Sequence, residues 1–134
     1  MISDKSLLLK AFNKQMFDFL DDIIGIVQEN EQIKISRIYF ETLKKANPSL
    51  LIKIWYSRVF LPYGDKIANG NIDYFLEKDY SDDLANLPNG KEVVKIINTS
   101  LREPIQLMDN TNKEHCMKYI QILCKISDAY TAQV

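Results

Sequence analysis

The residues from Pro48 to Leu61 place the strongest constraint on the fold of this chain. Drawn as a helix, the segment is apolar on almost every side, and its apolar members are Leu50, Leu51, Ile52, Ile54, Trp55, Tyr56, Val59, Phe60 and Leu61. Its polar strip consists of Ser49, Lys53 and Ser57, with Arg58 beside them. A helix that is apolar on most sides must be covered on most sides. The sequence therefore predicts a central hydrophobic helix near residues 48–61.

Amphipathic helices are predicted at both ends of the chain. Apolar residues recur at helical spacing from about Asp4 to Glu29 and again from Lys113 to about Ala132, where Asn112 is the predicted cap. Pro62 and Gly64 are predicted to end the central helix. Shorter helical stretches are expected at 72–76, at 82–87 and from Lys91, with Pro104 interrupting the last of these.

A further helix is predicted to end at Ala46, and its two faces differ. The predicted core stripe consists of Ile35, Ile38, Tyr39, Thr42, Leu43 and Ala46. The opposite face carries Lys34, Arg37, Glu41, Lys44 and Lys45. Phe40 falls on this charged face. We therefore expect Ile35 and Ile38 in the core and Phe40 at the surface.

No alternation typical of strands and no repeat of 20–50 residues occurs, so the sequence predicts an all-α fold. A chain of 134 residues is expected to bury roughly 68% of its extended surface, which is enough for one core. We therefore expect residues 1–134 to form a single domain, a compact bundle of six to seven helices around the central one.

Charge, cysteine content and hydropathy indicate the compartment. The net charge is −1, there are two Cys, and no apolar run approaches the ~20 residues that cross a bilayer. The first residues lack the pattern of a secretory signal. Reduced thiols in the cytoplasm or nucleus are expected, without secretion or membrane insertion.

The residues that could support catalysis are sparse and poorly placed. His115 and Cys116 are neighbours on a helix and point about 100° apart, so they do not face each other as a base and a nucleophile. Cys116 and Cys124 are too far apart along the helix to share a zinc ion. We therefore expect no cofactor, no metal site, no small-molecule substrate and no enzymatic activity. An enzyme using the acid pairs Asp21/Asp22 or Asp82/Asp83 is the least favoured alternative.

Aromatic residues concentrate in the middle of the chain, beside charged residues, which is typical of protein interfaces. The chain is therefore predicted to act through a protein partner or by self-association. The predicted interface residues are Phe40, Tyr56, Arg58, Tyr63 and Tyr74.

Nucleic-acid binding is the alternative function. Residues 32–66 carry seven Lys or Arg against two acids, and a basic face can neutralise phosphates. The residues that would do so are Lys34, Arg37, Lys44, Lys45 and Lys53. The overall pI near 5.8 argues against a dedicated nucleic-acid binder.

Four segments carry a family resemblance. They are Phe12–Asp22, Lys45–Trp55, Asp73–Tyr80 and Cys116–Leu123. Together with a composition rich in Asn, Lys, Ile and Asp, they resemble small helical proteins of nucleocytoplasmic large DNA viruses, especially those that infect algae. The resemblance implies a viral protein made in an infected eukaryotic cell and favours a virion component or an adaptor.

Overall fold

The computed structural model describes residues 4–27, 31–71, 76 and 102–133. Its elements are α1 (Asp4–Ile26), α2 (Glu31–Ala46), α3 (Leu50–Trp55), a π-helical turn (Tyr56–Phe60), α4 (Leu61–Ala68), α5 (Glu103–Gln106) and α6 (Asn110–Ala132). These residues contain helices and no strand, which confirms the predicted all-α fold. Since α3, the π-helical turn and α4 are continuous, the described part has five helical rods. The predicted helices at 82–87 and from Lys91, and most of the one at 72–76, lie outside the described residues.

Helices α1 and α6 form the frame of the fold, and they run antiparallel. At one end, the Lys5 ammonium lies 3.5 Å from the carbonyl oxygen of Gln133 and 4.9 Å from the ring centre of Tyr130. Further along, the rings of Phe19 and Tyr119 stack with their centres 4.9 Å apart. Each helix has 23 residues and is therefore about 35 Å long.

The rod that begins with α3 packs against α1, α2 and α6, as the apolar sequence of this segment predicts. Trp55 is completely buried, and its ring meets the edge of Phe12 with the ring centres 6.2 Å apart. Its indole nitrogen donates a hydrogen bond to the Cys124 sulfur at 3.4 Å. The central position of the hydrophobic helix is therefore confirmed.

The end of the central rod differs from the prediction. Pro62 and Gly64 do not terminate it, and the chain stays helical to Ala68. A proline inside an α-helix lacks the N–H donor and presses on the carbonyl four residues earlier. Here a π-helical turn comes first, in which the N–H of Leu61 donates to the Tyr56 carbonyl five residues back. The wider turn changes the hydrogen-bond register just before the proline, so the rod continues.

Gly70 closes this rod. Its φ of +78° lies in the left-handed region, which costs glycine little because it has no Cβ.

The start of α6 also differs slightly from the prediction. Asp109 is the cap, since its Oδ1 accepts the N–H of Asn112 at 2.8 Å, and the helix begins at Asn110. Pro104 lies in the first turn of α5, where a missing N–H is tolerated.

Helix α2 is rotated relative to the predicted orientation. Ile33 and Phe40 are completely buried, whereas Ile35 and Ile38 are 59% and 64% exposed. The expectation that Ile35 and Ile38 lie in the core and Phe40 at the surface is therefore wrong. Four members of the predicted stripe are exposed, namely Ile35, Ile38, Thr42 and Ala46. Tyr39 and Leu43 are partly buried against the core, and the side that carries Phe40 packs inward.

Long cationic side chains explain how the part of the charged face that carries Arg37 and Lys44 can lie against the bundle. Arg37 and Lys44 extend across α1, and each places its cation 5.2 Å from the ring centre of Phe17. Such side chains can lay their methylene groups on apolar surface while the charged end reaches water, so they do not exclude Phe40 from the core. Phe40 and Ile33 then bury their full side chains.

The orientation of α2 predicts opposite consequences for two substitutions. We expect Phe40→Ala to lower the free energy of unfolding by about 3–5 kcal/mol, because it leaves a cavity in the core. We expect Ile38→Ala to change it by less than about 0.5 kcal/mol, because that side chain is already in water. Urea denaturation followed by circular dichroism measures both values. The reverse order would contradict the observed orientation.

Candidate functional site

The surface of α2 that faces away from the core carries a continuous row of exposed residues, which we call the α2 stripe. It consists of Glu31, Ile35, Ile38, Thr42 and Lys45. The steps between them are alternately four and three residues, so the row stays on one side of a helix with 3.6 residues per turn. It is about 21 Å long, and its centre lies opposite the buried residues Ile33 and Phe40.

The α2 stripe is apolar in the middle and oppositely charged at its two ends. Ile35 and Ile38 form the middle, next to Thr42, whose hydroxyl donates to the Ile38 carbonyl at 3.2 Å. Glu31 stands at the first turn and Lys45 at the last. Both charges are favourable with respect to the helix dipole. An apolar row of this kind, bounded by charges, can receive another amphipathic helix.

An ion pair between α1 and α2 holds this orientation. Arg37 donates to both carboxylate oxygens of Asp21, at 2.6 Å from Nε and 3.4 Å from Nη2. Its Nη1 also lies 3.6 Å from a Glu41 oxygen. The hydrogen bonds to Asp21 raise the pKa of Arg37 further above its ordinary value. This geometry turns Arg37 towards α1 and leaves the α2 stripe on the outside.

A groove of about 630 Å³ lies between α1 and α2. Phe17 and Leu9 line it, together with the charged side chains of the Arg37 ion pair and with Lys10. Asn13 lies in its wall, is buried, and donates from Nδ2 to the Pro48 carbonyl at 3.0 Å. The Oδ1 atom of Asn13 is buried without a hydrogen-bond partner among the described residues.

The predicted interface residues do not form one surface. Phe40 and Tyr63 are buried, so the expectation that their side chains are available to a partner is wrong. Tyr56 is half-buried and stacks on Phe60, with the ring centres 5.3 Å apart. Arg58 is half-buried, and its Nε has no hydrogen-bond partner among the residues that the structure describes. Tyr74 lies outside the described residues.

The five residues predicted to bind nucleic acid also do not form one surface. Arg37 is bound to Asp21, the Lys34 ammonium lies 3.4 Å from Glu31, and Lys44 lies over the Phe17 ring. Lys45 belongs to the α2 stripe and Lys53 is exposed on α3. The geometry therefore favours no common phosphate-binding face for these five residues.

Asp22, His115 and Tyr119 meet where α1 crosses α6, a cluster that sequence reasoning did not identify. His115 Nε2 lies 3.0 Å from Asp22 Oδ2, and the Tyr119 hydroxyl donates to the same oxygen at 2.5 Å. The ring of His115 stands edge-on to that of Tyr119. The i, i+4 spacing of His115 and Tyr119 was the available signal, because it places both on one side of a helix.

The cluster changes the pKa of two of its members in opposite directions. The hydrogen bond from Tyr119 lowers the pKa of Asp22, and the contact with His115 lowers it further. The same bond to Asp22 raises the pKa of Tyr119 to about 12. Near neutral pH, the Asp22 carboxylate therefore accepts from a protonated phenol. This arrangement joins α1 to α6 by a charge-assisted hydrogen bond.

The acid pair Asp21/Asp22 does not form a two-carboxylate site. Asp21 points to Arg37 on α2, whereas Asp22 points to α6. Asp82 and Asp83 lie outside the described residues. Among the residues with described positions, no group of three or more His, Cys, Asp or Glu is arranged to hold a metal ion.

Both cysteines are free and buried. Burial raises the pKa of Cys116 to about 11 and that of Cys124 to about 11 as well. Cys124 accepts the hydrogen bond of Trp55, and Cys116 lies 3.7 Å from the Met108 sulfur. Both cysteines therefore pack as small residues of the hydrophobic core.

Comparisons with known proteins do not assign this chain to a family. No protein-family model, no curated protein and no solved structure matches the chain. Within the described ranges, none of the helices combines the length and the apolar character required to cross a membrane.

The Asp22 cluster predicts a stability difference that depends on pH. We expect Asp22→Asn to lower the free energy of unfolding by about 1 kcal/mol at pH 7, a modest value because the carboxylate is partly exposed. The pKa of Asp22 is lower in the folded state than its ordinary value of 3.8. The stabilisation by the Asp22 carboxylate is therefore complete at pH values above 3.8, the ordinary pKa. It disappears as the pH falls through the lower pKa that Asp22 has in the folded state.

Urea denaturation of the wild type and the Asn variant between pH 2 and pH 7 tests this. The control is Asp18→Asn, which removes a half-exposed carboxylate of α1 that pairs with Lys14 on the same helix and not with α6. A difference between wild type and Asp22→Asn that stays constant down to pH 2 would show that the charge of Asp22 is not involved.

The cysteine environments predict slow thiol modification of the folded chain. At pH 8, thiols with a pKa of about 11 are about 0.1% ionised, and burial also blocks the reagent. We expect reaction with Ellman's reagent to be at least 100-fold slower in buffer than in denaturant. Rapid reaction of one thiol in buffer would contradict the burial of that cysteine.

Proposed function

We propose that the protein is a non-enzymatic structural or adaptor protein that acts through a protein–protein interface formed by the α2 stripe. The observation that supports this is the exposure of Ile35 and Ile38 at the centre of the row, opposite the core. Burying apolar surface contributes about 25 cal/mol per Å², so two adjacent isoleucines provide a favourable contact for a partner.

The chemistry of the α2 stripe defines its partner as an amphipathic helix. Such a helix presents apolar residues to Ile35 and Ile38 and places a basic side chain at Glu31 and an acidic one at Lys45. The charged ends would fix the direction of the partner, since like charges that face each other are unfavourable. Of the residues predicted from sequence, Tyr56 and Arg58 lie on the central rod and are not part of this surface.

The proposal includes the cellular context that the viral resemblance implies. We place the protein in an infected eukaryotic cell, in the cytoplasm, in the nucleus or in a virion. The similarity of the four segments quoted above supports this context. The arrangement of the lysines and of Arg37 gives the nucleic-acid alternative no comparable support.

Site-specific photo-crosslinking in cells that express the chain tests the interface. We expect p-benzoyl-phenylalanine at position 38 to give a defined protein adduct, because this position lies in the middle of the α2 stripe. The same residue at position 53, which is exposed on α3, is the matched control and should give none. Adding Ile35→Asp should remove the adduct at position 38, because it places a charge in the apolar contact.

Equal cross-linking at positions 38 and 53, or no cross-linking at position 38, would reject the α2 stripe as an interface. Circular dichroism of each variant checks that the helical content of the chain is unchanged.

A further inference from the structure

We propose that the helix received by the α2 stripe is α2 of a second copy of this chain, in an antiparallel orientation. The inference rests on the proposed function of the stripe as an interface, and it identifies the partner. Its basis is that the stripe is complementary to itself, both in charge and in spacing.

The two charged ends of the stripe are equally far from Ile38. Glu31 precedes Ile38 by seven residues, and Lys45 follows it by seven. When two such helices are antiparallel and centred on Ile38, each Glu31 lies opposite Lys45 of the other copy. Ile38 then packs on Ile38 of the second copy, and Ile35 lies near its Thr42. One two-fold axis relates all these contacts, as in most homodimers.

The charges on one flank of the stripe follow the same rule. Lys34 and Glu41 lie seven residues apart beside the apolar row. Each has a charged neighbour on its own helix, Glu31 and Arg37, but their side chains remain 44% and 49% exposed. In the antiparallel pair, Lys34 of one copy approaches Glu41 of the other. Each half of the dimer therefore brings together two pairs of opposite charge, at 31/45 and at 34/41.

The parallel alternative has the opposite electrostatics. It would place Glu31 opposite Glu31 and Lys45 opposite Lys45, and it would align the two helix dipoles. Like charges that face each other oppose association, so the charge pattern selects the antiparallel orientation. The alternating steps of four and three residues average 3.5, the spacing that keeps an apolar seam between two packed helices.

The size of the contact predicts a weak dimer. Two isoleucines and one threonine on each side bury much less than the roughly 800 Å² per partner of a standard interface. We therefore expect a reversible monomer–dimer equilibrium with a dissociation constant in the high micromolar range. Association should be visible in sedimentation equilibrium from about 10 μM to about 1 mM.

Charge exchange in full-length chains tests the orientation. Glu31→Lys alone, or Lys45→Glu alone, places like charges together twice in the dimer, and we expect each to raise the dissociation constant about fivefold or more. The double variant Glu31→Lys/Lys45→Glu restores both opposite-charge pairs and should return the dissociation constant to about the wild-type value.

The double variant also separates association from helix stability. It is the least favourable variant for the α2 dipole, because it has a cation at the first turn and an anion at the last. If the substitutions acted only by destabilising helix α2, the double variant would therefore have the highest dissociation constant of the three variants. Recovery of association in that variant can only come from pairing between copies.

The outcomes separate this inference from the proposed function. A wild-type chain that stays monomeric at about 1 mM would overturn self-pairing, while an adduct to another protein at position 38 would leave the interface in place. A dimer that Ile38→Asp does not weaken would also overturn self-pairing through the stripe. The absence of cross-linking at position 38 would reject the interface itself and, with it, the self-pairing that rests on it.

Discussion

The burial of Phe40 is the constraint on which the surface of this protein depends. Once this ring enters the core, the rotation of α2 is determined, and Ile35 and Ile38 must face solvent. The Arg37–Asp21 ion pair and the two cations over Phe17 stabilise the same rotation from the side of α1. The apolar outer surface of α2 is thus a direct consequence of how its inner surface packs.

The other described helices hold α2 in place without contacting its outer side. The antiparallel pair α1 and α6 is joined at one end by Lys5 and near the other by the Asp22 cluster, and the central rod packs on α1, α2 and α6. The π-helical turn lets that rod continue through Pro62. In the described part of the chain, the polar contacts therefore connect the helices to one another and leave the α2 stripe open.

The sequence predicts the elements of this fold better than their orientation. The helical spacing of apolar residues identifies α1, α2, α6 and the central rod, because that spacing reflects local geometry. It could not orient α2, whose sequence offers two partly apolar faces. Choosing between them requires knowing that Arg37 and Lys44 can lie across Phe17 on another helix.

Contacts between helices that are distant in the sequence are also what the sequence could not predict at the candidate site. The i, i+4 spacing of His115 and Tyr119 places them on one side of α6, but Asp22 lies more than 90 positions away, so the sequence does not show that the three residues meet. The length of the central rod depends on a π-helical turn, which has no sequence signature comparable to that of a proline. Phe40 lies on a charged face, with Ile33 seven residues before it on the same side, and this pair indicates the alternative orientation of α2.

The solvent exposure of individual isoleucine methyl groups on α2 tests the central claim most directly. Methyl NMR with a soluble paramagnetic relaxation agent, at a concentration where the chain is monomeric, measures this exposure at Ile33, Ile35 and Ile38 in one sample. The structure predicts strong relaxation enhancement at Ile35 and Ile38 and almost none at Ile33. Enhancement at Ile33 with protection of Ile35 and Ile38 would show that α2 packs in the opposite orientation, and the interface proposed here would then lie in the core.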